Sequence, residues 1–438
     1  GAGIYLSGAH RKKGFVQLMS WLFLIMLIYI GMRWMAVKLK PGVPDTEILN
    51  NPYLLATGEE RFCTKTYVLL KYILLQIFPH PLSSDYSFDS IKFRHFTSPD
   101  FVFSLLLHLS MLFAAVYLTW KKHVTGFALM VYILFGLLIG NVLMDIGATM
   151  GERLIFHSSI GFCIILAWAL LWLSEHLRLI SLKTQRFVLP GLLIVVVFLA
   201  GVKTWERNFD WKNDITLFLK DVQTHPNSVL CLGNAGARYV DLLNTNDFAD
   251  RPRPGYDTLF DDHNGTLSNL LEEVKSGKYK NKREAAIGHG IEVLSRAIEL
   301  HPRYVNGYLN LGLLYFHLRK DFEAIYNLKN VERLYPNNPY LNNYYMAMEG
   351  DLRNRVAQAY RYNRWDSAAI AWNLLTIIRP NNHENWYHLG GAYFNQGKFE
   401  LAEKSWKKTQ ALKPDHPEIN GLLNMARARI SSRPPIQN

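Results

Sequence analysis

Up to Lys203 the apolar residues come in long unbroken runs, and beyond it they recur in short, regularly spaced groups. The runs are Phe15–Trp34, Phe101–Trp120, Thr125–Met144, Ile155–Leu173 and Phe187–Lys203. A helix needs about 20 mainly apolar residues to cross the hydrocarbon core of a bilayer, so five membrane spans are predicted. A further apolar stretch, Thr64–Phe78, is broken by Lys65, Lys71 and Gln76. At about 15 residues it is too short to cross, and its two-sided character predicts a helix lying in the interface.

In the second part, Tyr308, Leu311, Gly312, Tyr315, Ala324, Leu328 and Pro336 mark one unit from Val305 to Asn338. Trp386, Leu389, Gly390, Tyr393, Ala402, Trp406 and Pro414 sit at the same offsets from His383 to His416. A third unit, Glu349 to Asn382, keeps Ala368, Trp372 and Pro380. The 34-residue length of each unit is that of the tetratricopeptide helix–turn–helix repeat. Pro226 and Pro302 fall in phase, which places Leu232, Ala235, Gly236 and Tyr239 on an earlier first helix and Glu284–Leu300 on its partner. Between them, 244–283 carries Arg-Pro-Arg-Pro-Gly and Asp-Asp-His-Asn-Gly and reads as a loop insertion. Pro417–Ile430 supplies a capping helix, and Ser431–Asn438 a frayed tail. The expected fold is all-α: a polytopic transmembrane bundle over 1–203, then a tetratricopeptide-repeat superhelix over 204–438.

Charge adds an orientation. The first 203 residues hold 18 Lys and Arg against 10 Asp and Glu, and the remainder 30 against 26. The excess therefore lies beside the spans, which argues for topology signals and against a nucleic-acid partner. Arg11-Lys12-Lys13, Lys121-Lys122 and the loop with Arg178, Lys183 and Arg186 are basic, whereas the short loop 145–154 has Asp145 and Glu152 against Arg153 alone. Positive-inside counting places the start of the chain in the cytoplasm and the repeats outside it. The protein is expected in the bacterial inner membrane with periplasmic repeats, or in the endoplasmic reticulum with lumenal ones. Cys63, Cys163 and Cys231 have no metal-finger or disulfide-framework spacing.

Three places bear on chemistry. Asp261 and Glu272 match the ends of a calcium loop, but His263 and Gly265 occupy its third and fifth positions, so a surface loop is predicted. Asn264-Gly265-Thr266 is a glycosylation acceptor sequon. Gly151-Glu152-Arg153 opens a span, where a helix N-terminus offers free N–H groups and partial positive charge. Arg153 there suits either a lipid-linked phosphate or a Glu–Arg pair or headgroup anchor. Asp85, in the turn after Phe78-Pro79-His80-Pro81, suits a sugar hydroxyl or a metal ion, or else a simple Asx turn.

Three motifs in order carry a resemblance: Phe78-Pro79 with Leu82-Ser83 and Asp85-Tyr86-Ser87; Met150-Gly151-Glu152-Arg153-Leu154-Ile155-Phe156 with Ser159–Cys163; and Thr204-Trp205, Arg207-Asn208, Trp211-Lys212, Asp214 and Thr216-Leu217-Phe218. Together they resemble the transmembrane and tetratricopeptide-repeat O-mannosyltransferase family. The resemblance implies a glycosyltransferase of the C superfamily that moves mannose from a polyprenyl-phosphate donor to a protein hydroxyl at the outer face. It implies a catalytic acidic residue in the first outer loop, which would precede Gly1, so the chain reads as the C-terminal portion of a longer protein. Within this chain Arg153 and Glu152 would bind the donor phosphate and Asp85 would orient the sugar, with no resident metal or cofactor assigned. Ile155-Phe156-His157-Ser158 departs from the family's usual Tyr-Leu-Tyr-x-Pro. Expected partners are membrane lipid, the lipid-linked sugar and a protein or peptide acceptor on the repeats. A non-catalytic membrane-tethered scaffold and a polysaccharide ligase or polymerase are the alternatives.

Overall fold

The computed structural model describes residues 9–37, 47–142, 146–176, 182–243, 245 and 266–432. Every regular element among them is helical. The first eight α-helices are α1 (Ala9–Val37), α2 (Gly58–Ile77), α3 (Pro99–Trp120), α4 (Val124–Ile139), α5 (Phe156–His176), α6 (Leu182–Asp210), α7 (Asp214–Thr224) and α8 (Val229–Leu242). A short 3₁₀ turn, Glu152–Ile155, leads into α5. The stretch 261–265, including Asn264 of the sequon, lies outside the described residues, as do Arg178 and the tail beyond Ser432.

Among the described residues two helices are long and apolar enough by themselves to cross a membrane, Pro99–Trp120 and the turn and helix over Glu152–Leu173. Met19–Met35 and α4 are apolar but shorter. The run expected to reach Met144 stops at Ile139. Asn141, at φ 60°, turns the chain, and its carboxamide is taken up by Ala148 O, Thr149 O and Ile146 N. The helix expected in the interface is longer than its apolar core implied, 20 residues rather than about 15. It starts at Gly58 because Thr57 and Glu60 form a reciprocal cap: Glu60 N donates to Thr57 Oγ1 at 3.2 Å, and Thr57 N to Glu60 Oε2 at 2.8 Å. Helix α2 packs on α3, which packs on α4, and α4 packs on α5.

The chain divides into two compact units, 1–234 with 261–266, and 235–260 with 267–438. The apolar runs alone put the division at Lys203. Helix α7 and the start of α8 join the first unit because their polar side chains bond to the turn at 83–87, described below.

The second unit is the repeat array. Helix α9 (Thr266–Lys275) lies inside the segment read as a loop, a correction with a plain cause. Leu267, Leu270, Leu271 and Val274 recur at helical spacing between Gly265 and Gly277, and Leu270 is buried. Then come α10 (Lys282–Leu300) and the pairs α11/α12 (Val305–His317, Asp321–Leu334), α13/α14 (Leu341–Arg361, Trp365–Ile378) and α15/α16 (His383–Asn395, Phe399–Leu412), capped by α17 (Ile419–Ser431). Helix α13 begins eight residues before Glu349, so the middle unit carries an N-terminal extension.

Small residues sit where paired helices meet. A Cβ on Gly236 would lie 2.3 Å from Leu294 Cγ, one on Gly312 3.0 Å from Leu328, and one on Gly390 2.3 Å from Trp406 Nε1. Each turn between paired helices closes on one left-handed residue in the same register, Arg319, Asn363 and Gly397. The next N–H then reaches back five residues: Lys320 to Tyr315 O, Arg364 to Ala359 O and Lys398 to Tyr393 O.

Candidate functional site

The three motifs, far apart in sequence, meet in one polar cluster of the first unit. Its centre is the turn 83–87. Ser83 N and the Tyr86 hydroxyl both donate to Glu152 Oε1, at 2.5 and 2.6 Å. Ser84 donates to Asp221 Oδ2 twice, from its N–H at 2.9 Å and from its hydroxyl. Ser87 N and Ser228 Oγ donate to Asp85 Oδ2, at 2.9 and 3.0 Å. Arg207, near the end of α6, closes the set by donating to Asp210 Oδ2 at 2.9 Å and to Asp221 Oδ1 at 3.2 Å.

Local chemistry explains each placement. Helix α7 is started by Asn213, whose side chain accepts from Thr216 N at 2.9 Å. That phase turns Leu217, Leu219 and Asp221 inward. Asp221 is 0% exposed, so its charge is tolerable only because Arg207 and Ser84 surround it. Helix α8 starts after Ser228, whose hydroxyl takes Cys231 N at 3.2 Å while donating to Asp85. Gly151 N donates to the Tyr72 hydroxyl of α2 at 2.9 Å. Val68, Tyr72, Tyr86, Ile139 and Met150 form the apolar floor.

Burial sets the protonation states. It pushes the Tyr86 phenol well up, and the charge of Glu152 adds to this, so Tyr86 stays a donor. Burial, then Asp85, pushes the Cys231 thiol up to about 12, which keeps it a thiol. Burial and the charge of Lys71 push the His225 imidazole down, and its ring stands edge-on to Tyr86 at 4.6 Å.

Glu152 faces Ser83 and Tyr86, and no Glu152–Arg153 ion pair occurs among the described residues. Arg153 is exposed and makes no hydrogen bond or ion pair to any described residue. Asp85 caps its own turn in the Asx manner and in addition anchors Ser228. Sequence reasoning assigned no role to Arg207, Asp221, Tyr86 or Ser228. Asp221 had a signal, a carboxylate on the apolar face of a short amphipathic helix four residues after Leu217.

Beside this cluster lies a cavity of about 440 Å³ between α2, α3, α4 and α5. Its walls are apolar apart from a few groups. Arg61 and Lys65 stand toward the start of α2, Tyr72 near its end, and His108 and Ser158 on the walls. Tyr72 and Ile155 line it, and they join the cluster through Gly151 and the 3₁₀ turn. Arg61 Nη2 donates to Tyr53 O at 3.2 Å. Among the described residues no group of three His, Cys, Asp or Glu is arranged to hold a metal ion.

No family model matches the chain. Protein O-mannosyl-transferase TMTC3 of Homo sapiens is 22% identical over 433 residues, 93% of this chain and 45% of that protein. Protein O-mannosyl-transferase F38B6.6 of Caenorhabditis elegans is 25% identical over 238 residues, 52% of this chain and 31% of that protein. The chain thus spans less than half the length of the curated relatives it matches. A solved structure of MamA is 16% identical, covering 39% of this chain and 85% of its own, with a TM-score of 0.18, too low to support an argument. The motif resemblance and these relatives agree: the chain is similar, over 93% of its length for the human relative and 52% for the nematode one, to the transmembrane and tetratricopeptide-repeat protein O-mannosyl-transferases.

Proposed function

We propose that this chain is part of a membrane glycosyltransferase that moves mannose from a polyprenyl-phosphate donor to a protein hydroxyl on the lumenal or periplasmic face. One observation carries the reading. The cluster built from the three motifs holds the 3₁₀ turn that leads into α5, beside an apolar cavity, and leaves Arg153 unengaged. In this scheme the cavity takes the lipid chain, and Arg153 grips the phosphate at the N-terminal turn, where N–H groups and the helix dipole add to its charge. Glu152, already accepting from Ser83 and Tyr86, positions that turn rather than touching an anion it would repel. Asp85 holds the turn at 83–87 to Ser228. The repeats take the acceptor polypeptide.

The test is sugar transfer from a polyprenyl-phosphate donor by the full-length enzyme in detergent. An Arg fork grips two phosphate oxygens, which Lys does not reproduce. Arg153→Lys is expected to lose activity and Arg153→Ala to lose more, about 10²–10³ in rate, as for one charge-assisted contact in a screened site. Both variants are expected to stay monodisperse with wild-type melting, since Arg153 has no structural partner among the described residues. Near-wild-type transfer by Arg153→Ala removes the phosphate assignment and returns Arg153 to the role of headgroup anchor.

A further inference from the structure

The cavity between α2, α3, α4 and α5 is faced by two polar atoms that the fold leaves unpaired. Its walls are mostly hydrocarbon, among them Leu69, Leu105, Leu109, Ile133 and Leu137. Ser158 of α5 lines it with a residue only 1% exposed, and its hydroxyl has no hydrogen-bond partner among the described residues. His108, midway along α3, lines it too. Its Nε2 is buried and equally without a partner among the described residues. Buried polar atoms left unpaired are uncommon and costly, so a ligand that completes both gains there.

The other side of the imidazole decides what that ligand must carry. His108 Nδ1 lies 2.7 Å from Ser104 O. A carbonyl oxygen only accepts, so Nδ1 is the protonated nitrogen and Nε2 presents a lone pair. Ser104 is itself held, because its hydroxyl donates to Thr66 O of α2 at 2.6 Å. The occupant must therefore bring a proton to Nε2. A carboxylate or ionised phosphate oxygen brings none and would set lone pair against lone pair. A plain hydrocarbon chain leaves both atoms unsatisfied. Water can bond each atom singly, but a cavity of about 440 Å³ filled with water puts most molecules against hydrocarbon. Those molecules fall short of the roughly two to four polar partners a buried water needs. An alcohol on an apolar body meets every condition: hydrocarbon for the walls, an O–H for Nε2 and an oxygen to accept from Ser158.

We propose that this cavity binds a lipid alcohol, a sterol or an isoprenoid alcohol, whose hydroxyl donates to His108 Nε2 and accepts from the Ser158 hydroxyl. The inference rests on the proposed scheme in one respect. The same space there takes the isoprenoid chain of the donor, so a lipid alcohol competes with the donor and slows transfer.

Tritiated farnesol and tritiated cholesterol are each titrated by scintillation proximity against the full chain in detergent, then displaced by the unlabelled alcohol or its methyl ether. The ether keeps the oxygen and the apolar body but has no proton for Nε2. At least one alcohol is expected to bind saturably, and which one does so tells a linear chain from a rigid ring system. The alcohol should displace at about three- to tenfold lower concentration than its ether, the range of one neutral hydrogen bond. His108→Leu should erase that preference. Ser158→Ala should weaken alcohol and ether alike, since both keep the accepting oxygen. The wild-type comparison needs no variant, so it stands even where a variant fails to fold. Equal displacement by alcohol and ether in the wild type, or a preference that survives His108→Leu, overturns the proposal. Saturable binding of neither alcohol overturns it as well and leaves the two polar atoms to water. Farnesyl phosphate is added last. Its displacement of the alcohol supports a shared cavity, whereas an alcohol that it leaves in place keeps the alcohol site and overturns the donor chain's place there.

Discussion

The Arg207–Asp221 pair and the Gly390–Trp406 contact hold their regions together by opposite means. In the first unit a fully buried carboxylate survives because a guanidinium and a serine from segments 14 and 137 residues away surround it. In the second, an absent side chain lets an indole approach its partner helix closely, 16 residues along the chain. The cluster is non-periodic, long-range and mutually dependent, so one deletion strands several buried polar groups. The array is local and repeated, and each contact is felt mainly by its own helix pair. Charge placed at long range specifies one arrangement of three segments, while missing volume at short range specifies a stackable unit.

This contrast is open to direct attack. The largest effect is expected at Arg207. Arg207→Ala leaves Asp221 with Ser84 alone and should cost about 3–5 kcal/mol, the range for stranding one partner of a buried pair. Thermal melting of the detergent-solubilised chain reads it. Replacing both residues with apolar ones, Arg207→Met with Asp221→Leu, should cost less than Arg207→Ala. A double variant as damaged as the sum of its singles would mean that the residues act independently.

In the array, Gly390→Leu forces a side chain into Trp406, whose Nε1 already donates to Tyr387 O at 3.0 Å. Overpacking of this kind costs about 1–3 kcal/mol. Hydrogen exchange should speed up in α15 and α16 and stay unchanged in α2–α5; an effect spread evenly over both units would break the comparison. The smallest effect has the opposite sign. Arg319 holds φ 60° where the last repeat has Gly397, and its guanidinium is exposed in the ion pair with Asp351, so the pair contributes little. Arg319→Gly should relieve strain and stabilise the array by about 1 kcal/mol. A loss of stability there would show that the Asp351 pair outweighs the backbone term.

Much of the molecule is legible in the amino-acid order alone. The apolar runs predict the all-helical first part, and the 34-residue phase of Gly312, Gly390 and Pro336 predicts the repeats, because both signals are local and set by helix geometry. Helix α9 was concealed by the Pro-, Gly- and Asp-rich residues before it, and the start of α2 by the polar cap that comes before its apolar core. The three motifs announced a site, and Arg153 and Glu152 are adjacent in sequence, yet only the folded chain separates their roles. Glu152 turns in to Ser83 and Tyr86 while Arg153 turns out. Asp85 takes the turn role that its spacing allowed, and Asp221 enters the cluster from 137 residues past Ser84. Periodicity reports which face of a helix is buried. It does not report which buried carboxylate meets which donor, since that depends on a loop closure across more than a hundred residues, whose entropic cost only the assembled cluster offsets.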